Sequence, residues 1–448
     1  MFQCWYAVLF CIVFGMPPND DLITKTSVVI DENSKLLIFG SRHGNRYPGK
    51  FLKDNPRFWG YEGDYELTQF GKREGFGFGK ELREFVGGLI NNNYMRDEVA
   101  FYTSSANRCQ MTLQVIMAGL YPPDTFGEWN HALEWSPVPY TIDDPMLRTY
   151  SIPNCTAIQR AWEPIAHDNL PELAQMTASN LPLLEYIAQN TGWNKSIESA
   201  SDLADNIFLI NLYNTGLPDW IERPTLEGYD KQSLQEAIMM FMEKHTLTCV
   251  NYEPCRDIMG GVWLNHILTA LRKIADGQKS QKILGYVSHL ETTLSVMKLL
   301  KINQTYLNTT SGFLIEYRDQ PKKSVRLLTH ETLTIDKHII EQANYMEELE
   351  AISDSSHWIP FEEFYKVTKS KVIVDWMEAC GRKETLCKTP EDGNMLATSN
   401  ITTSDQSDNL ADNHVTFSAS CSNYFDYNHL CLLIVFLLTV YSTHDFFT

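Results

Sequence analysis

Basic residues are scarce in this chain. It carries 37 Lys and Arg against 56 Asp and Glu, a formal net charge of -19 over 448 residues. So acidic a balance argues against nucleic acid as the main partner, because gripping a phosphate backbone takes a basic face. Any phosphate pocket must then be a local exception built from a few Arg and His. Metal-ligand spacings are missing too: there is no Cys-x-x-Cys and no Cys/His zinc pattern, so neither a metal nor a cofactor is expected. Gly75-Phe76-Gly77-Phe78-Gly79-Lys80 lacks the GxxxxGK[ST] spacing of a phosphate loop and sits inside a helical pattern, which makes it structural. His131, His167, His245 and His266 stand beside no acid–base constellation and are expected to be structural.

Long apolar runs are absent as well. The first, from Phe2 to Gly15, is too short to span a bilayer and gives way to Pro17-Pro18-Asn19-Asp20-Asp21, the pattern of a secretory signal peptide over residues 1–16. The second, Leu430 to Tyr441, is shorter than a comfortable transmembrane helix. It follows a stretch over 391–429 rich in Ser, Thr, Asn and Asp that reads as a disordered stalk. Small residues at Ser418-Ala419-Ser420, a spacer and the apolar tail (430–448) resemble a lipid-anchor signal, while the polar last residues depart from it. Membrane attachment through this tail and a tail packed on the domain both stay open.

What is present agrees with the secretory pathway, extracellular or lysosomal. Five N-x-Ser/Thr sequons stand at Asn154, Asn194, Asn303, Asn308 and Asn400. Of ten cysteines, Cys4 and Cys11 fall in the leader, leaving eight for which disulfides are the better reading. Cys249/Cys255 and Cys380/Cys387 are close in sequence, but spacing does not decide connectivity. A hydrophobic fraction of 44 % with 21 % charged residues is ordinary for a globular protein with a sizeable core.

Along the chain, residues 36–39, 98–103 and 283–287 read as strands. Each leads into a helix: from about Leu67 through Val86, from a Ser104-Ser105 cap through Leu120, and over Thr292–Leu300. Alternating strands and helices predict an α/β fold, a mixed and mainly parallel sheet flanked by helices over 30–153 and 277–390. Residues 154–276 read as an inserted, mainly helical lobe.

Three of these strand–loop–helix units place basic residues just past the strand: Arg42, His43 and Arg46 in the first, Arg108 in the second, His289 in the third. Ligands of open α/β sheets bind outside the carboxyl ends of strands, and arginine forks bind phosphate bidentately. These side chains are therefore expected to converge on one phosphate. Gly44 lets the backbone approach closely and Pro48 stiffens the exit. With a phosphate dianion offsetting the field of Arg42 and Arg46, a neutral His43 imidazole can attack phosphorus.

Arg42-His43-Gly44-x-Arg46-x-Pro48 resembles the signature of the histidine acid phosphatases, a branch of the phosphoglycerate-mutase-like histidine phosphatases. Leu67-Thr68-Gln69-Phe70-Gly71, Ser104–Arg108, Ala118–Pro123, Trp135–Pro139, Asp144–Leu147 and Tyr286–Leu294 resemble the segments that follow in that family. The likeness runs from about Leu36 to Cys387 and is nearest the prostatic and lysosomal type. It implies a secreted or membrane-attached phosphoric monoester hydrolase in which His43 becomes phosphohistidine. Arg42, Arg46, Arg108 and His289 would bind the phosphate. Members often dimerise, although nothing in this sequence requires a homodimer.

Two departures stand out. The family places Asp directly after its late histidine to protonate the leaving alcohol; here the run is His289-Leu290-Glu291, resembling the His-x-Glu form of the inositol polyphosphate phosphatase branch. Glu291 is the expected acid. Cys109 follows Arg108 where Thr is common, and reads either as a disulfide partner or as a buried thiol. The missing Asp also motivates two alternatives: a phosphate-ligand-binding protein of the same fold with little catalysis, and an inositol polyphosphate phosphatase.

Overall fold

A computed structural model describes residues 27–53, 59–124 and 127–381. The expected leader, stalk and tail lie outside these residues, as do Asn400, Cys387, Cys421 and Cys431. Among the described residues no helix is long and apolar enough to cross a membrane.

The core is an eight-stranded mixed sheet with helices packed on it, in the order β3-β2-β4-β1-β5-β6-β7, with β8 paired to β6. The strands are β1 (Ser34–Arg42), β2 (Val99–Thr103), β3 (Thr141–Ile142), β4 (Ile283–Ser288), β5 (Gly312–Arg318), β6 (Ser324–Thr334), β7 (Lys337–Gln342) and β8 (Ile359–Pro360). One half, β3-β2-β4-β1, is parallel; the other, from β5 to β8, is antiparallel. β1 lies at the junction, and eight of its nine residues are buried. That accounts for its apolar run, since a strand covered on both faces shows no alternation.

The register positions the site. Arg42 faces Ser288 across β1 and β4, while Thr103 faces Val287 across β2 and β4. The three strands therefore end level, and the chain leaves each at the same sheet edge.

Helix α1 (Gln69–Val86) follows β1, α2 (Asn107–Leu120) follows β2, and α3 (Asp144–Leu147) follows β3. Thr68 caps α1, its hydroxyl accepting the Gly71 N–H. The Ser104-Ser105 cap expected for α2 does not form: Ala106 is the N-cap and has no side-chain bond, because Ser104 is engaged elsewhere. Helix α12 (Leu290–Leu299) starts directly after His289, two residues earlier than expected.

Between α3 and β4 lie eight helices: α4 (Thr156–Ala166), α5 (Pro171–Ser179), α6 (Leu181–Thr191), α7 (Ile197–Tyr213), α8 (Asp219–Glu222), α9 (Lys231–Met239), α10 (Lys244–Asn251) and α11 (Glu253–Ala275). Their apolar faces form a separate core. Helix α11 bridges the two cores: Cys255, Ile258 and Met259 join the helical one, while Trp263, Ile267 and Leu271 pack under the sheet. Disulfides link Cys249 to Cys255 and Cys155 to Cys380. The second closes a loop of 225 residues, which restricts the unfolded chain strongly.

Candidate active site

The loop after β1 is tied at almost every backbone group. His43 N–H donates to Ser288 O (2.9 Å), and Thr310 N–H donates to His43 O (3.1 Å). Gly44 N–H reaches Thr112 Oγ1 at 3.0 Å, and Asn45 N–H reaches the buried Glu74 carboxylate at 2.8 Å. Thr68 adds its hydroxyl to the Asn45 side chain (2.7 Å). Gly44 is required here: a Cβ would lie 2.6 Å from Gly71 O, where the loop crosses the start of α1. The Leu67–Gly71 segment is thus the cradle of the Arg42–Pro48 loop.

His43 is 4 % exposed and His289 is 1 % exposed, with ring centroids 5.5 Å apart. His43 Nδ1 lies 2.8 Å from Gly44 O. A carbonyl only accepts, so Nδ1 carries the proton and Nε2 keeps its lone pair. Arg108 Nη2 only donates, so at 3.1 Å it fixes His289 Nδ1 as the acceptor. His289 then donates from Nε2 to Ser104 Oγ at 3.0 Å, which is where the Ser104 hydroxyl went. Burial, followed by the charges of Arg108 and Arg42 and by His289, holds His43 well below the ordinary imidazole range. Burial and the charges of Arg108 and Arg148 do the same to His289. Both shifts favour the neutral ring.

The arginines differ in their partners. Arg42 (5 % exposed) pairs with Glu243 through both terminal nitrogens, one of them at 3.1 Å, and donates to Leu307 O at 2.7 Å. The Tyr306 hydroxyl lies beside both members of this pair. Only Arg42 Nε is left, buried and without a protein partner. Glu243 sits at φ 55 ahead of α10, a conformation costly for a non-glycine residue, with its N–H on Ser201 Oγ (3.2 Å). Arg46 pairs with Asp205 of α7 at 2.8 Å and donates to Tyr47 O at 2.9 Å. Among the described residues no carboxylate reaches ion-pairing distance of Arg108, and its Nε too is buried and unpartnered. Tyr65, at φ 60, places its ring 5.3 Å from Arg46 and 5.6 Å from Arg108. The bare backbone of Gly49 makes room for that ring: a Cβ there would meet it at 2.1 Å.

Leu290 turns into the core, so the position where the family carries Asp faces away from the site. Glu291, one residue later, lies among Arg108, Arg42 and Tyr150. Burial raises the Glu291 pKa above the usual carboxylate range against those opposing influences. Cys109 is a buried free thiol, its Sγ 3.6 Å from His289 Nε2, and burial pushes it up to about 11.

Arg42, His43, Arg46, Arg108, His289 and Glu291 therefore gather at the level ends of β1, β2 and β4. A small cavity of about 60 Å³ adjoins Arg42 and Arg46, walled by Asp205 and Phe208 of α7, by Met242 and Glu243, and by Tyr306 and Asn308. Asn308, expected as a glycosylation site, thus stands at the site's rim, whereas Asn154, Asn194 and Asn303 are exposed elsewhere. Of the remaining histidines, His245 bonds Asp168 (2.7 Å), His266 lies 3.3 Å from the Tyr286 hydroxyl, and His131 is exposed beside Glu128. The sequence reading missed Glu243, Asp205, Tyr65, Tyr306, Arg148 and Tyr150. Arg148 and Tyr150 come just after the recognised Asp144–Leu147 segment; the others carry no local signal.

Residues 36–324, more than half the chain, match the family described as the histidine phosphatase superfamily (branch 2). Among curated proteins, the lysosomal acid phosphatase of Xenopus laevis is 24 % identical over 350 residues, covering 76 % of this chain and 77 % of its own. The prostatic acid phosphatase of Rattus norvegicus is 24 % identical over 362 residues, covering 77 % and 87 %. Among solved structures, the Hafnia Alvei phytase in complex with myo-inositol hexakis sulphate aligns with a TM-score of 0.56 at 15 % identity, over 78 % of this chain and 98 % of its own. At that identity the likeness speaks for the fold.

Proposed function

The chain belongs to branch 2 of the histidine phosphatase superfamily, and we propose that it hydrolyses phosphate monoesters in the secretory pathway through a phosphohistidine on His43. One observation carries this reading: the Nδ1–H bond to Gly44 O leaves the Nε2 lone pair free on a buried neutral imidazole, beside the unpartnered Nε groups of Arg42 and Arg108.

The phosphoryl group lies among Arg42, Arg46, Arg108 and His289. His43 Nε2 attacks phosphorus as the ester P–O bond breaks, and the arginines stabilise the charge that accumulates on the phosphoryl oxygens. Glu291, protonated in its buried setting, gives its proton to the departing alkoxide. Its carboxylate then takes a proton from water, which attacks the phosphohistidine, releases inorganic phosphate and restores His43. Tyr150 lines the site beside the Glu291 carboxyl. The lowered His43 pKa keeps the nucleophile unprotonated further into acid than a free imidazole, and the raised Glu291 pKa keeps the acid protonated to higher pH than a free carboxyl.

The charge pattern favours simple esters over inositol polyphosphates. Glu243 and Asp205 already neutralise Arg42 and Arg46 on the lobe side, where a ring of phosphates would need a strongly basic wall. The test is turnover of an aryl phosphate and of phytate by the wild-type and His43→Ala proteins. The reading expects the aryl phosphate to be much the better substrate and the variant to be inactive while folded. Equal activity of the variant contradicts it, and a preference for phytate moves the protein to the inositol polyphosphate reading.

A further inference from the structure

Arg148 follows α3 and enters the site from the side of Ser105, the residue after the His289 partner Ser104. Its Nη1 lies 3.2 Å from Ser105 Oγ. Its Nε is buried and has no partner. The nearest acid of its own helix, Asp144, is engaged by the Ser105 N–H at 2.7 Å. Among the described residues no carboxylate comes within ion-pairing distance of Arg148. A buried guanidinium edge without an anion is a costly arrangement unless a ligand completes it.

The neighbours of Arg148 define where that ligand lies. Its guanidinium is 5.8 Å from the Tyr150 ring, and that ring is 5.4 Å from the His289 ring. Tyr150 also lies beside Glu291. The acid that protonates the leaving oxygen must face the leaving group, so Arg148, which shares Tyr150 with Glu291, borders the leaving group rather than the phosphoryl group. The opposite, lobe-facing wall holds Glu243 and Asp205 and would repel an anion.

We propose that Arg148 forms a second anion subsite, which takes a carboxylate or phosphoryl group carried by the leaving alcohol. The preferred substrates are then monoesters whose alcohol carries one further negative group close to the ester oxygen. This rests on the monoesterase reading above and refines its substrate class.

The test uses four esters on one two-carbon skeleton: ethyl phosphate, phosphoglycolate, ethane-1,2-diol bisphosphate and phosphoethanolamine. In wild type, kcat/KM should be higher for phosphoglycolate or the bisphosphate than for ethyl phosphate, and lowest for phosphoethanolamine. Arg148→Gln should lower the ratio of anionic to ethyl ester by roughly ten- to a hundredfold, the worth of one charge-assisted bond. Arg148→Lys should restore part of it. A fall for phosphoglycolate alone assigns a carboxylate, and a fall for the bisphosphate alone assigns a phosphoryl group. An unchanged ratio, or an equal loss on all four esters, overturns the proposal. If no ester is turned over, the monoesterase reading has failed separately. Calorimetry of phosphoglycolate on His43→Ala and on His43→Ala/Arg148→Gln then reads the subsite alone, and equal affinities overturn it.

Discussion

The two sides of the phosphate site use the same residue type in opposite ways. On the lobe side, Arg42 and Arg46 come with their own anions, Glu243 and Asp205, supplied by the inserted helices. On the side of α2 and α3, Arg108 and Arg148 meet serine, histidine and tyrosine instead, and two Nε groups lie buried without partners. The paired arginines are fixed by the fold before any ligand arrives, with only the Nε of Arg42 left buried and open. The open ones depend on the ligand for their neutralisation. Fixation and affinity are thus divided between the flanks, and Glu291 sits on the open one.

That division can be broken at several points. The largest effect is expected at Glu291, where Glu291→Gln should lower kcat/KM, which reports the phosphorylation step, by about 10²–10⁴ for alkyl phosphates while sparing nitrophenyl phosphate, whose phenolate needs no proton. An equal loss on both would remove Glu291 from the acid role. Next comes Arg42→Ala, which strands Glu243 in a buried setting. Denaturant unfolding should show a loss of about 3–5 kcal/mol, and Glu243→Leu added to it should recover stability without activity. If Arg42→Ala unfolds like wild type, the pair is not the fixed scaffold described. Arg108→Ala should behave the other way, lowering kcat/KM by about 10²–10³ with little change in the unfolding midpoint. A marked stability loss there would erase the contrast between flanks.

The smallest expected effect lies at Asp202, where burial and the nearby Asp205 and Glu198 push the carboxyl up to about 6 against Arg46 and Lys50. As pH rises through that value, a second negative charge appears beside the Arg46–Asp205 pair. Inhibition by inorganic phosphate should therefore weaken above about 6 more steeply in wild type than in Asp202→Asn. Identical pH profiles for the two proteins would show that this charge does not reach the phosphate.

How much of this the sequence disclosed follows from where the signals lie. The apolar run 36–39 and the Arg42–Pro48 segment are contiguous, so β1 and its loop were readable locally, and level strand ends explain why Arg108 and His289 join them. Glu291 was legible only by analogy. The antiparallel strand β5 went unread because six of its seven residues are buried and it loses its alternation, and in β6 and β7 the buried residues fall in adjacent runs that do not alternate either. Glu243 lies 201 residues from Arg42, and Asp205 about 160 from Arg46, both in a lobe whose sequence reports only helix, and only tertiary packing brings them back. The pairing of Cys380 was equally hidden: its partner is Cys155, far away in sequence.

The account stands on His43 as the phosphoryl acceptor. The direct measurement is rapid mixing of the protein with an aryl phosphate at acid pH, an alkaline quench that preserves phosphohistidine, and mass spectrometry of the peptides. The account predicts one phosphorylated peptide, with the phosphoryl group on His43, that vanishes in His43→Ala and accumulates in Glu291→Gln if hydrolysis of the intermediate limits turnover. Turnover with no phosphoryl group on His43, or with the group on another residue, would contradict it.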